Sequence, residues 1–291
     1  MGLRNLIWDL IYGVAETIGS PIYRRYLRNK VKRGPVPNHV GIILDGNRRF
    51  SIKSGISFRE GYRIGAKKVR EILDWLDELG VRHVTLYAFS TENFRRPRDQ
   101  VDAIFDAMKE ELELIKKDLD RLRKSKTRFR AIGRVDLLPE DLRERIKYLE
   151  DITKDFGDRT INLAVAYGGR AEIVDAVRKI ARMVARGEVL PDEIDEELIR
   201  RNLYAPDLPD PDLIIRTSGE ERLSNFLLWQ SAYSELYFCE AYLPEFREID
   251  LLRAIRDLRF SSSHAISSWK LINSPYPDEI IRLLQVGIKV K

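Results

Sequence analysis

Cysteine and histidine are nearly missing from this chain of 291 residues, which holds one of the first and three of the second. A lone thiol, Cys239, makes neither an internal disulfide nor a cysteine metal cluster, and it favours a reducing, cytoplasmic setting. His39, His83 and His264 show no ligand spacing, so a zinc centre is excluded on similar grounds. There is no Gly-x-Ser-x-Gly elbow, which removes one common serine-hydrolase arrangement. Long hydrophobic runs are missing too: charges interrupt every stretch that would otherwise span a bilayer. Repeats and low-complexity tracts do not occur. The remaining composition is that of a globular protein, 44% hydrophobic, with a net charge of +5. That charge suits nucleic acid, anionic lipid or a polyphosphorylated small molecule, and does not choose among them.

The opening residues carry a pattern of their own. Leu3, Leu6, Ile7, Leu10, Ile11, Val14 and Ile18 recur at helical spacing, and Arg24, Arg25, Arg28, Lys30, Lys32 and Arg33 follow. An amphipathic helix beside basic residues fits peripheral contact with an anionic membrane, and equally a helix docked on the body or on a second subunit. Asp9 and Glu16 interrupt the apolar stretch, unlike a cleaved signal peptide. Gly34-Pro35-Val36-Pro37 then breaks the pattern. The expected organisation is an extension over 1–34, one main domain over 35–270 and a C-terminal extension over 271–291.

From Pro35 onward, short apolar runs alternate with longer amphipathic segments. The runs are His39–Leu44, Val84–Phe89, Phe129–Ile132, Ile161–Ala166, Leu213–Ile215 and Leu236–Phe238. Between them, Ala66, Val69, Ile72, Leu73, Leu76 and Leu79 mark a helix that Gly80 ends. Val101 to Leu122 reads as one helix of about seven turns. Continuous apolar strands separated by helices predict an α/β domain, its mostly parallel sheet of six strands covered on both faces.

In such a sheet, ligands sit beyond the carboxyl ends of the strands. The residues just after the runs are Asp45-Gly46-Asn47-Arg48-Arg49-Phe50, then Ser90-Thr91-Glu92-Asn93-Phe94-Arg95-Arg96, then Tyr167-Gly168-Gly169-Arg170, then Arg216-Thr217-Ser218-Gly219-Glu220 with Arg222, Leu223 and Ser224 close behind. Glycines admit a phosphate to the backbone, helix-start amides bond to it, and arginine forks match its oxygens. A carboxylate among these cations makes sense once a divalent ion is added: Mg²⁺ takes one or two carboxylates with phosphate oxygens and water, and Asp45 and Glu235 are the candidate ligands. Each residue has a plainer reading. Asp45 and Asn93 serve as caps in many proteins, Gly168-Gly169 as a tight turn, and Glu235 as a surface carboxylate. The gathering at one sheet edge favours a site.

These stretches also resemble a family. His39–Phe50, Tyr87–Phe94, and Arg216–Gln230 followed by Glu235–Phe238 are similar, in order and spacing, to the signatures of cis-prenyltransferases, the undecaprenyl and dehydrodolichyl diphosphate synthases. The resemblance implies a Rossmann-like sheet with a hydrophobic tunnel, usually in a homodimer. It also implies Mg²⁺-dependent condensation of isopentenyl diphosphate onto an allylic diphosphate such as farnesyl or geranylgeranyl diphosphate. The long Z-polyprenyl product would be the precursor of a glycosyl carrier lipid. By matching position, Asp45 is the catalytic carboxylate and a Mg²⁺ ligand with Glu235, and Gly46, Asn47, Arg48 and Arg49 cradle the allylic diphosphate. Arg216, Arg222 and Ser224, with Leu223 between them, hold isopentenyl diphosphate. Ser90, Thr91, Glu92, Asn93 and Arg96 line the reaction centre, Asn93 at the place assigned to proton removal, and Ala88 is a floor residue. Phe50 and Phe94 replace a common tryptophan. Phe58 stands where an arginine is frequent, Tyr62 where a histidine is, and no Arg-x-Gly tail is evident. A catalytically silent partner subunit would lack Asp45 and Glu92-Asn93. A nucleic-acid binder would show a basic stripe with stacking aromatics, so no nucleic-acid partner is expected. A trans-prenyl synthase would be all-helical with two Asp-rich motifs.

Overall fold

The computed structural model describes residues 20–258. The amphipathic pattern ahead of residue 20, His264 and the extension over 271–291 lie outside the described residues.

Each of the six apolar runs forms a strand: β1 (His39–Ile43), β2 (His83–Ser90), β3 (Thr127–Ile132), β4 (Arg159–Tyr167), β5 (Leu213–Arg216) and β6 (Glu235–Phe238). They make one sheet in the order β3-β4-β2-β1-β5-β6, and every neighbouring pair is parallel. The central strand β1 is buried along its whole length, as a strand covered on both faces must be. From β1 the chain proceeds to β2 on one side, while β5 takes the other flank. The connections therefore diverge at β1, and a crevice opens beyond the carboxyl ends of β1 and β5.

The helices are α1 (Ser20–Lys32), α2 (Asn47–Ser54), α3 (Phe58–Leu79), α4 (Arg98–Lys117), α5 (Leu119–Lys124), α6 (Glu140–Thr153), α7 (Gly169–Ala185) and α8 (Glu196–Asn202), with helix again over 248–258. In α3 the Ser57 hydroxyl accepts the Glu60 amide, and Gly80 at φ 84° ends the helix as expected. The single long helix expected from Val101 to Leu122 is in fact two. Asp118, at φ −116° and ψ 50°, leaves the helical region between α4 and α5. The apolar period continues through Leu119 and Leu122, so periodicity hides the turn that carries the chain to the edge strand β3.

The boundary expected at Pro35 also shifts. Leu27 and Val31 of α1 are buried in the same core as Val40, Ile72, Leu76 and Ile255, so the body begins ahead of the Gly-Pro break. Part of the basic stretch is committed there: Arg28 pairs with Glu248 at 2.5 Å and with Glu78 at 3.0 Å, and Arg24 also reaches Glu248. A second core lies beneath α4 and α6, and a third surrounds Tyr87, Tyr167 and Phe226.

At the amino edge of the sheet, His39 is 1% exposed. Its Nδ1 lies 2.6 Å from the Pro209 carbonyl and its Nε2 2.8 Å from Thr85 Oγ1. A carbonyl only accepts, so Nδ1 carries the proton and Nε2 accepts from threonine. Burial pushes the pKa down to about 4, against the pull of the Pro209 carbonyl. Between pH 6.5 and 4 the unfolded chain therefore binds a proton that the native chain refuses, and stability falls as pH falls through that window. The loss should reach about 3 kcal/mol by pH 4, at 1.36 kcal/mol for each unit of displacement. Denaturant titrations at pH 7 and 4.5 should show this loss in the parent and little of it in His39→Gln. Parallel losses in both proteins would exclude His39 as the cause.

Candidate active site

The crevice is built from three strand ends, those of β1, β2 and β5. Asp45 leaves β1 at its centre. Its Oδ1 accepts the Gly46 amide at 2.7 Å, and its Oδ2 accepts Arg216 Nη2 at 2.8 Å and Arg49 Nη2 at 3.4 Å. Burial alone would raise its pKa. The Arg216 hydrogen bond and charge, the Gly46 amide and Arg49 outweigh that and hold the carboxyl below its usual range, so it is ionised. Gly46 is indispensable in shape: its φ is 104°, and a Cβ there would come within 2.9 Å of Tyr242 backbone and ring atoms. The residues that follow start α2, whose free amides and dipole favour an anion beside Asn47 and Arg48.

From β5, Thr217 locks the two central strand ends together. Its hydroxyl accepts the Asp45 amide at 3.0 Å and donates to the Asp45 carbonyl at 2.6 Å. Arg216, whose side chain is 5% exposed, bonds to Asp45, to the Arg222 carbonyl at 2.5 Å and to Ser224 Oγ at 2.6 Å. Its Nε–H is buried without a protein acceptor. Arg49 bridges to Ser218 Oγ at 2.6 Å and to Glu220 at 3.1 Å, and Arg222 reaches the other Glu220 oxygen at 2.6 Å.

Beyond β2, Ser90 and Asn93 form a reciprocal cap: Ser90 Oγ accepts the Asn93 amide at 3.2 Å, and Asn93 Oδ1 accepts the Ser90 amide at 2.9 Å. The capping role is thus real, and it occupies the oxygen that would have to accept a proton. Glu92 experiences an upward push from burial. Hydrogen bonds from its own amide, Ser90, Asn225 and Thr91 prevail and keep it ionised. Arg96 donates to the Tyr62 hydroxyl at 3.1 Å, so Tyr62 bonds an arginine in this wall.

All of this opens into one cavity of about 810 Å³. Its polar end carries five arginines (48, 49, 96, 216, 222) against three carboxylates (Asp45, Glu92, Glu220), an excess of positive charge suited to a polyanion. The rest is walled by α3, α4 and the sheet: Val69, Leu73, Ile104, Leu112, Phe129 and Leu163 are representative. One ion pair interrupts that wall, Arg70 Nε to Glu111 Oε2 at 2.9 Å. Burial raises the Glu111 pKa, with Arg70 pulling it back. Ala88 lines the cavity because β2 bulges there. Tyr87 pairs with Ala164 and Phe89 with Val165, which leaves Ala88 as the extra residue.

Comparison with known proteins matches this architecture to a family. The model of a family described as putative undecaprenyl diphosphate synthase matches residues 43–264. The chain belongs to that family. It is 56% identical over 243 residues, 82% of this chain and 89% of the relative, to a tritrans,polycis-undecaprenyl-diphosphate synthase (geranylgeranyl-diphosphate specific) of Methanopyrus kandleri. A protein of the same description from Methanocaldococcus jannaschii is 51% identical over 238 residues, 81% of this chain and 85% of that one. Among solved structures, lavandulyl diphosphate synthase from Lavandula x intermedia in complex with dimethylallyl diphosphate superposes with a TM-score of 0.73 at 38% identity, covering 77% of this chain and 95% of that one. A probable undecaprenyl diphosphate synthase from Campylobacter jejuni gives 0.61 at 33% identity, covering 78% and 96%. The chain is accordingly a cis-prenyltransferase, a polyprenyl diphosphate synthase by family.

Fourteen of the residues singled out by sequence meet at this synthase's cavity: Asp45, Gly46, Asn47, Arg48, Arg49, Tyr62, Ala88, Ser90, Glu92, Asn93, Arg96, Arg216, Arg222 and Ser224. Four others stand off its wall. Phe94 packs on Phe89 and Phe105, Leu223 on the third core, while Phe50 and Thr91 flank the lining residues. Glu235 requires a correction. It begins β6 opposite Leu213, at the amino edge of the sheet, whereas Asp45 lies past the carboxyl end of β1. At about 3.3 Å per residue the two carboxylates of one chain are too far apart to share an ion. The clue was in the sequence, since Glu235 precedes its strand instead of following it. No three His, Cys, Asp or Glu side chains are grouped as a metal site among the described residues. Asp45 alone still fits Mg²⁺, which accepts one carboxylate when phosphate oxygens and water complete the shell. Two residues lay within stretches the sequence singled out but were given no role there: Glu220, the bridge between Arg49 and Arg222, and Asn225, one position beyond Ser224.

Among the described residues, no helix is long and apolar enough to cross a membrane.

Proposed function

We propose that this synthase lengthens geranylgeranyl diphosphate with isopentenyl diphosphate, adding cis isoprene units to give a long-chain Z-polyprenyl diphosphate, precursor of a glycosyl carrier lipid. Sequence alone left geranyl, farnesyl and geranylgeranyl diphosphate open as starters, and the geranylgeranyl specificity named for the relatives of Methanopyrus kandleri and Methanocaldococcus jannaschii supports the last. The observation that carries the reading is one continuous cavity joining an arginine-rich crevice to an apolar channel.

In this reading the allylic diphosphate lies on the α2 amino terminus against Gly46, Asn47, Arg48 and Arg49. The second diphosphate lies against Arg216, Arg222 and Ser224. Arginine forks and amides stabilise charge on the departing diphosphate as the allylic C–O bond breaks. Fixing both diphosphates sets the isopentenyl double bond against the forming cation, so the new C–C bond needs little further ordering. The isopentenyl unit then loses a proton. Asn93 is a poor acceptor, because its oxygen is engaged by the Ser90 amide. Asp45 is a weak base for the same reason that it stays ionised, which leaves the released diphosphate as the favoured acceptor. Mg²⁺ held by Asp45 would supply further neutralisation of diphosphate charge when bound. The growing chain is displaced along the apolar wall, away from water.

A cytoplasmic homodimer, with peripheral membrane contact through the N-terminal pattern, belongs to the same reading. Among the described residues the edge strand β6 pairs only with β5, and Leu236 and Tyr233 beside it are exposed, a surface suited to a second copy.

Steady-state assays with labelled isopentenyl diphosphate should give kcat/KM at least about tenfold higher with geranylgeranyl than with farnesyl diphosphate, since even one buried methylene is worth that much. Incorporation should cease on chelation and return with Mg²⁺. A preference for farnesyl diphosphate would overturn the starter assignment, and full activity in chelator would overturn the metal.

A further inference from the structure

Asn225 takes no part in the chemistry described above, yet it joins two of the loops at the polar end of the cavity to each other and to the turn after β4. Its Nδ2 donates to Glu92 Oε1 at 2.9 Å, its Oδ1 accepts the Arg170 amide at 2.8 Å, and its carbonyl accepts the Gly169 amide at 2.7 Å. Glu92 follows β2, and Gly169 and Arg170 open α7 after β4. Asn225 itself belongs to the β5–β6 connection that carries Arg222 and Ser224. That connection is held in an unfavourable shape: Ser218, Ser224, Asn225 and Leu227 have φ values of 81°, 47°, 67° and 41°. Left-handed backbone at non-glycine residues persists only where the surroundings over-determine it.

We infer that Asn225 is a positioning residue for prenyl transfer: it clamps the strained β5–β6 connection onto the ends of β2 and β4 and so sets where Arg222 and Ser224 meet isopentenyl diphosphate. The clamp rests on the prenyl-transfer reading for its effect on catalysis, while its geometry stands apart from it.

The residue type is what this place demands. Asparagine tolerates the left-handed region better than most side chains, and its amide offers a donor to a carboxylate and an acceptor to a backbone N–H together. Its neighbours are shaped to receive it. A Cβ on Gly168 would stand 2.7 Å from Asn225 Nδ2 and 2.9 Å from Thr91 Oγ1, and one on Gly169 would stand 2.8 Å from Leu228 Cγ. The glycine pair after β4 is therefore accounted for by close seating of residues 225–228, whereas sequence offered phosphate approach or a simple turn. The consequences run onward through Ser224, whose Oγ holds Arg216 at 2.6 Å and whose carbonyl accepts the Tyr87 hydroxyl at 3.2 Å.

Asn225→Asp tests the clamp, because aspartate keeps the left-handed tolerance and the acceptor for Arg170 but sets a carboxylate against Glu92. KM for isopentenyl diphosphate should rise about ten- to a hundredfold, the range of one hydrogen bond to a charged group, with KM for the allylic substrate little changed. The defect should shrink as pH is lowered, when one of the facing carboxylates takes a proton. Adding Glu92→Gln should recover part of it by restoring an amide–carboxylate pair. Asn225→Gly, which retains the backbone but loses the side chain, should share the KM defect without its pH dependence. Wild-type kinetics in both single variants, or a double variant no better than Asn225→Asp, would overturn the inference. Denaturant stabilities of the parent, Asn225→Asp, Glu92→Gln and the double variant supply a readout independent of turnover. Non-additive stabilities of the Asn225→Asp and Glu92→Gln changes support the clamp even if the parent transfers no prenyl group, and additive ones refute it.

Discussion

Asp45→Ala should lower isopentenyl incorporation by about a thousandfold, a loss at the upper end of what removing one preorganised electrostatic group costs. Among the described residues, Asp45 is the only carboxylate that accepts from Arg216, Arg49 and the Gly46 amide together, and it sits at the start of the helix assigned to the allylic diphosphate. Its removal takes away the carboxylate proposed to hold Mg²⁺ and frees two arginines to collapse onto substrate oxygens in the wrong geometry. The fold should survive. Arg216 retains the Arg222 carbonyl and Ser224 Oγ, so the stability cost of a partly uncompensated guanidinium is about 1–3 kcal/mol. Asp45→Asn keeps the shape and separates charge from bulk. Labelled-substrate assays beside circular dichroism measure both effects, and near-normal turnover in a folded Asp45→Ala protein would remove Asp45 from the reaction.

The second large effect concerns what is made, with the rate largely preserved. Ala88→Leu should shift the dominant product to chains shorter by several isoprene units. The bulge in β2 brings Ala88 to the wall of the channel, and the added carbons would occupy space that is open in the protein. Overpacking a filled core costs about 1–3 kcal/mol, but here the side chain enters a void, so stability should be almost unchanged. Chromatographic sizing of products from one starter decides the matter. An unaltered length distribution would mean that the growing chain does not pass this residue.

Some of these features could be read along the chain and some could not, for identifiable reasons. Strand runs such as His39–Leu44 are local statements of burial on both faces, so all six were legible. The residues after β1, β2 and β5 were legible as a site because a parallel sheet sends the ends of its strands to one edge. Glu235 was named as a ligand by its place in the family motif; it precedes its strand, which within one chain sets it at the edge opposite Asp45. The break at Asp118 was invisible because apolar spacing persists across it.

Asn225 marks the remaining boundary. Its partners Glu92 and Arg170 lie 133 and 55 residues away, and no pattern of period or composition reports a hydrogen bond across such distances. By itself the sequence determined the layered α/β design, the strand identities and the chemical character of the crevice, because hydrophobic period and turn chemistry act between near neighbours. Only the tertiary structure decided which arginines hold Asp45, how far the apolar channel extends between α3 and α4, and which residue ties the loops together. Those properties arise from packing between segments far apart in the chain, where geometry, and not residue type, selects the contact.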